Sequence, residues 1–91
     1  MTSREFENAA RRMVINMLAD RGIKAEADEL QLVWFSHLLG NKKCMVYGPV
    51  MGNLYAEITY SLESQLLYAD LYEKQEHREI HDWELNFEAK A

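Results

Sequence analysis

Residues 54–74 read LYAEITYSLESQLLYADLYEK, two runs of alternating apolar and polar side chains separated by a polar turn. Period-two alternation in two such runs is the pattern of a β-hairpin with one buried face. Leu54, Ala56, Ile58 and Tyr60 share one face of the first run, and Leu67, Ala69 and Leu71 form the matching apolar set on the second. Pairing Ile58 with Ala69 and Ala56 with Leu71 sets core against core and leaves residues 62–65 as a four-residue turn. A slip of one residue would bury Glu57 and Asp70, so the register is strongly specified. The same register places Tyr55 opposite Tyr72, Glu57 opposite Asp70 and Thr59 opposite Tyr68 on the other face. Tyrosine pairs across strands are stabilising, whereas two carboxylates directly opposite are not. Those six residues, Tyr55, Glu57, Thr59, Tyr68, Asp70 and Tyr72, form the candidate partner-binding surface, because tyrosines with carboxylates recognise Arg and Lys well. A solvated sheet face with aromatic cover is the plainer reading of the same residues.

Upstream of the hairpin, Gly48-Pro49-Val50-Met51-Gly52-Asn53 holds the only proline and two of the four glycines, and is expected to be an exposed loop between strands. It lacks the length, the Lys-Ser/Thr pair and the following helix of a phosphate loop. Residues 30–39, LQLVWFSHLL, alternate Leu30, Leu32, Trp34, Ser36 and Leu38 on one face with Gln31, Val33, Phe35, His37 and Leu39 on the other. Val33-Trp34-Phe35 and the turn after them favour a strand over a helix. Both faces are apolar, so this strand is expected either at the centre of the sheet or in an association surface. Gly40-Asn41 is a hairpin signal, with Lys43 to Tyr47 returning. His37 reads as a packed or rim histidine.

Nearer the start, Thr2-Ser3-Arg4-Glu5 has the spacing of a capping box. Phe6, Ala9, Ala10, Met13, Val14, Met17 and Leu18 follow at three- and four-residue steps, one apolar stripe of a helix expected to run to about Arg21, with Gly22 as its stop. Residues 23–28 are a short polar connection. Past Lys74, Trp83, Leu85 and Phe87 alternate as an edge strand would, while Ile80, Trp83 and Phe87 equally fit a helix from about Glu76. His77 and His81 stand four apart, but the glutamate between them is at the wrong position for a zinc-protease motif and no third ligand is evident.

The fold class expected is therefore α+β: an N-terminal helix packed on a four-stranded antiparallel β-meander, with a C-terminal strand or helix. A single domain spans residues 1–91, the helix at about 3–21, the sheet at about 30–74 and an extension at 75–91. With 91 residues, 48% of them hydrophobic and 27% charged, the chain has the composition of a folded domain. Cys44 is the only cysteine, which excludes an internal disulfide. MTSREFENAARR has no apolar signal core and no run approaches the length of a membrane span, so a cytoplasmic location is expected. Charge is uneven: residues 1–53 carry seven Lys/Arg against six Asp/Glu, and residues 54–91 carry three against nine. An acidic second half argues against phosphate-backbone binding, and the Arg11-Arg12 and Lys42-Lys43 doublets read as solvated charge.

No nucleophile with a neighbouring base, metal-ligand set or cofactor fingerprint is present, so no catalytic residue, metal or cofactor is assigned. Glu57 and Asp70 are spaced as an acid/base pair is, but on an open sheet face that would not exclude water. A second reading is a small-ligand pocket between helix and sheet near Trp34, Phe35 and residues 48–53.

Val33-Trp34, the Lys43 to Val46 strand, Pro49, Gly52, LYAEITY and Leu67-Tyr68-x-Asp70-x-Tyr72-x-Lys74 resemble a group of small uncharacterised proteins of phages and prophages of Gram-positive bacteria. The resemblance covers residues 30–74 and rests on scattered aromatics rather than a catalytic motif. It implies no activity, only a context: an accessory protein of a mobile element in a host cytoplasm. Relatives of that kind tend to stop soon after the last strand, so the acidic segment from Gln75 departs from them. The expected partner is a host or phage protein, and the doubly apolar first strand suggests a homodimer in which a second chain covers the sheet face the helix leaves open.

Overall fold

A computed structural model describes residues 1–75. Strand β3, Leu54–Ser61, alternates buried and half-buried side chains along its whole length. It pairs with β4, Leu66–Glu73, in the register expected: Ala56 with Leu71, Ile58 with Ala69, Glu57 with Asp70, Tyr55 with Tyr72 and Thr59 with Tyr68. Residues 62–65 form the turn, closed by the Gln65 N–H donating to the Ser61 carbonyl at 2.7 Å. With β1, Gln31–Leu38, and β2, Asn41–Tyr47, these strands make one antiparallel meander in the order β1-β2-β3-β4. Helix α1, Ser3–Ala19, packs across β2, β3 and β4. The α+β architecture is thus the one expected.

Helix α1 begins with the capping box: the Glu5 N–H donates to Thr2 Oγ1 at 3.1 Å and the Thr2 N–H to Glu5 Oε1 at 2.9 Å. Its stripe of Phe6, Ala10, Val14 and Leu18 is fully buried. Each large side chain among them contributes about 1.5–3 kcal/mol by leaving water. The helix ends at Ala19, two residues before Arg21, because the closing turn takes over. There Gly22, at φ +80°, donates to the Ala19 carbonyl and Ile23 to the Leu18 carbonyl, both at 2.9 Å. This is the left-handed glycine stop, with Ile23 folded back on the core.

Against that stripe lie Cys44 and Val46 of β2, Leu54, Ala56 and Ile58 of β3, and Leu30 and Met51 from the segments around them. Met51 sits in a 3₁₀ turn, Pro49–Met51, so the loop expected to be exposed is half inside. Gly48 is buried because its backbone lies on residue 29, where a Cβ would collide with the Glu29 carbonyl.

Three further expectations for the first hairpin are corrected. Among the described residues strand β1 lies at an edge of the sheet, so of the two placements expected for it the central one is set aside. Its two faces are not those of simple alternation, because Val33 is a bulge: Leu32 pairs with Val46, and Trp34 with Met45. The extra residue reverses the parity after it. Trp34 therefore leaves the face of Leu32, and Phe35 turns to the helix, meeting Phe6 edge-on at 5.7 Å between ring centroids. The hairpin turn is centred on Leu39-Gly40, not Gly40-Asn41. Leu38 pairs with Asn41, and both central residues have positive φ, +52° and +82°, as a type I′ turn requires.

Neither basic doublet is simply solvated. The Arg11 Nε donates to the Leu30 carbonyl at 3.1 Å, tying α1 to the start of β1. Lys42 is buried along its stem, with Nζ 5.9 Å from the centre of the Tyr60 ring. The C-terminal strand or helix, and His77 and His81, lie outside the described residues.

Candidate functional site

In an antiparallel sheet, directly paired residues project to the same side. Because Cys44 and Val46 face α1, the residues between and beyond them, Lys43, Met45 and Tyr47, face away from it. Registered across the sheet, that outer face carries Trp34, Met45, Glu57 and Asp70 in one row and Ser36, Lys43, Thr59 and Tyr68 in the next. No other element among the described residues covers it, and Trp34, Tyr68 and Tyr72 are 41%, 48% and 41% exposed. All six residues expected at the site are brought together on this face.

Tyr55 and Tyr72 stack with ring centroids 5.3 Å apart and planes at 21°. Beside them, Lys43 Nζ meets Glu57 Oε1 at 2.9 Å, reaching one row along from the adjacent strand. The unfavourable pairing of Glu57 with Asp70 is thereby relieved: one of the two carboxylates has its own cation. The Glu57 hydrogen bond and charge hold the Lys43 ammonium above the usual lysine range. Among the described residues Asp70 forms no ion pair. Its negative charge is the main cause that raises the Tyr72 phenol.

A groove of about 550 Å³ opens at the end of the face where β2 meets β3, lined by Val33, Met45, Tyr47, Tyr55 and Lys74 among others. The Tyr47 hydroxyl donates to the Gly52 carbonyl at 3.0 Å and pins the 48–53 loop as its rim. The pocket expected between helix and sheet is not found among the described residues, since that space is packed by Phe6, Val14, Leu18, Val46 and Ile58. Trp34 and Phe35, expected to line one pocket, are on opposite faces.

Lys43, Met45, Tyr47 and Trp34, the β1–β2 half of the face, are absent from the six residues expected. The signal for the β2 members was available: once Cys44 and Val46 are assigned inward, residues 43, 45 and 47 must point outward. Trp34 was hidden by the bulge. Elsewhere, the Cys44 thiol is buried, and burial pushes it up to about 11, which leaves it protonated and inert near neutrality. His37 lies exposed on the edge strand opposite Lys42. Among the described residues no group of three His, Cys, Asp or Glu is placed to hold a metal ion, and no helix is long and apolar enough to cross a membrane.

No curated protein and no solved structure matches the chain. A family described as of unknown function (DUF6275) matches residues 7–82, reaching beyond residues 30–74 at both ends, over α1 and past Lys74.

Proposed function

The chain belongs to this family of unknown function, and we propose that it is a non-enzymatic accessory protein that docks a partner protein through the open sheet face. The observation that carries this reading is the concentration of half-exposed aromatics, Trp34, Tyr68 and Tyr72, around charged groups on a face with no cover among the described residues. Clustered aromatics with a few fixed charges are the composition of protein-binding surfaces rather than of ordinary solvated sheet. The setting we assign is the cytoplasm of a Gram-positive host, where a phage or prophage protein of this kind modulates a host factor. Support for that setting is the resemblance carried by Val33-Trp34 and Leu67-Tyr68-x-Asp70-x-Tyr72-x-Lys74. The test is affinity capture from a host lysate with the wild-type chain and a Tyr55→Ala/Tyr72→Ala variant of unchanged circular dichroism. Loss of specific partners in the variant is expected; an identical set of captured proteins would remove the face from consideration.

A small-molecule reading has one observation in its favour. The groove beside Val33, Met45, Tyr47 and Tyr55 has a volume of about 550 Å³, within the range of ligand pockets. Thermal stability against a nucleotide and metabolite panel decides it: a shift that a Met45→Trp variant abolishes supports a ligand, and no shift with any compound ends that reading.

A further inference from the structure

Among the described residues the sheet has two edges, β1 and β4, and they are built differently. β1 is interrupted by the bulge at Val33, one of the devices by which natural sheets discourage edge pairing. β4 is eight residues long, pairs with β3 without a bulge and contains no proline. Its ladder orientation follows from one bond: the Lys74 N–H donates inward to the Asn53 carbonyl at 2.8 Å. Alternation then directs the backbone groups of Tyr72 and Asp70 inward as well, and those of Ala69, Leu71 and Glu73 outward, away from β3.

We propose that the β4 edge pairs antiparallel with the β4 edge of a second copy of this chain, about a two-fold axis at Tyr72, to form a continuous eight-stranded sheet. The sequence Asp70-x-Tyr72-x-Lys74 is self-complementary about its centre. Under that axis Asp70 stands opposite the second copy's Lys74, and Lys74 opposite its Asp70. Neither Asp70 nor Lys74 forms an ion pair among the described residues, whereas Glu57 on the next strand is already held by Lys43. Tyr72 meets its own copy in a non-hydrogen-bonded pair, the closer of the two pair types. The stacked Tyr55 and Tyr72 rings then continue into a row of four tyrosines across the dimer. Leu71 and Glu73 fall opposite each other as hydrogen-bonded pairs, so the outward N–H and C=O groups are the ones the pairing satisfies. Backbone polarity, charge order and aromatic placement thus agree on one register. This surface differs from the face beside β1, and the arrangement would double the docking face rather than cover it.

Charge reversal tests the pairing on the full chain. Sedimentation equilibrium should give a dimer for the wild type. Asp70→Lys and Lys74→Glu should each weaken it roughly tenfold or more, since each sets like charges opposite at two places. The D70K/K74E double variant should restore it, and mixing the two single variants should produce a heterodimer, because every opposed pair is then of opposite sign. Hydrogen exchange supplies an independent readout, with the Leu71 and Glu73 amides protected in the wild type and exchanging fast in the single variants. A wild type that is monomeric at millimolar concentration overturns the proposal, and so does a dimer indifferent to both single substitutions. Protection of Leu71 and Glu73 in a monomer would assign the edge to the chain's own C-terminal segment, and would equally overturn it.

Discussion

Leu39, like Gln65, holds a backbone conformation that residues other than glycine disfavour. It occupies the left-handed region at φ +52° in a two-residue turn and leaves its side chain 85% exposed. Asparagine tolerates that region and, before Gly40, would make the Asn-Gly pair that type I′ turns prefer. Leu39→Asn should therefore stabilise the protein by about 0.5–1 kcal/mol, read as a higher urea midpoint at unchanged slope. Gly40 is different. A Cβ there would strike the Leu62 side chain as well as strain the backbone, and the neighbouring Asn41 Oδ1 accepts from the Leu62 N–H at 2.8 Å. These contacts join the β1–β2 turn to the β3–β4 turn, 21 residues apart. The Gly-Asn pair is legible in the sequence as a turn signal, but its position within the turn is set by where β1 and β2 pair, which is not a local property.

At the scale of elements, α1 is held at its start by hydrogen bonds that titrate. The Glu5 carboxyl is lowered from its ordinary value of 4.5, chiefly by the Thr2 backbone N–H and then by the Thr2 side chain. A lowered folded-state pKa contributes stability that is present above the unfolded value and is lost as pH falls through the folded one. The stability difference between wild type and Glu5→Ala should thus be largest above pH 4.5 and shrink in more acid solution, as followed by thermal melts across pH. Thr2→Ala, removing the cap acceptor, should cost about 1 kcal/mol. The β1 strand supports a different prediction. Because Val33 is the unpaired extra residue between Leu32 and Trp34, its deletion leaves every remaining β1 side chain on its present face. Deleting Val33 should hold stability within about 1 kcal/mol and keep the Phe6–Phe35 contact, seen as unchanged ring-proton NOEs, whereas inserting a residue there should not.

At the scale of the molecule, one layer of helix covers one face of the sheet among the described residues, and Phe6 joins them: it is fully buried in the core and also reaches β1 through Phe35. Phe6→Ala should cost about 3–5 kcal/mol, a large fraction of what a domain of this size possesses. Loss of a cooperative melt, with amide protection falling in all four strands together, would be the signature. The elements legible in the sequence were those decided between near neighbours. They include the capping box of Thr2 and Glu5, the glycine stop at Gly22, and the whole β3–β4 hairpin with its four-residue turn and every cross-strand pair. That hairpin was readable because its period is two, and a single slip would bury Glu57 and Asp70. β1 was not, since a bulge inverts parity and nothing local to LQLVWFSHLL marks Val33 as the residue left out. By itself the sequence determined the helix, the strands and the composition of the β3–β4 half of the open face. Only the tertiary structure decided that Lys43 would take Glu57, that Trp34 and Met45 would share the row of Glu57 and Asp70, and that β4 would be the last strand of the sheet among the described residues. Each of these depends on strand order and on a register shift across β1 and β2, long-range terms that the local pattern of one segment does not contain.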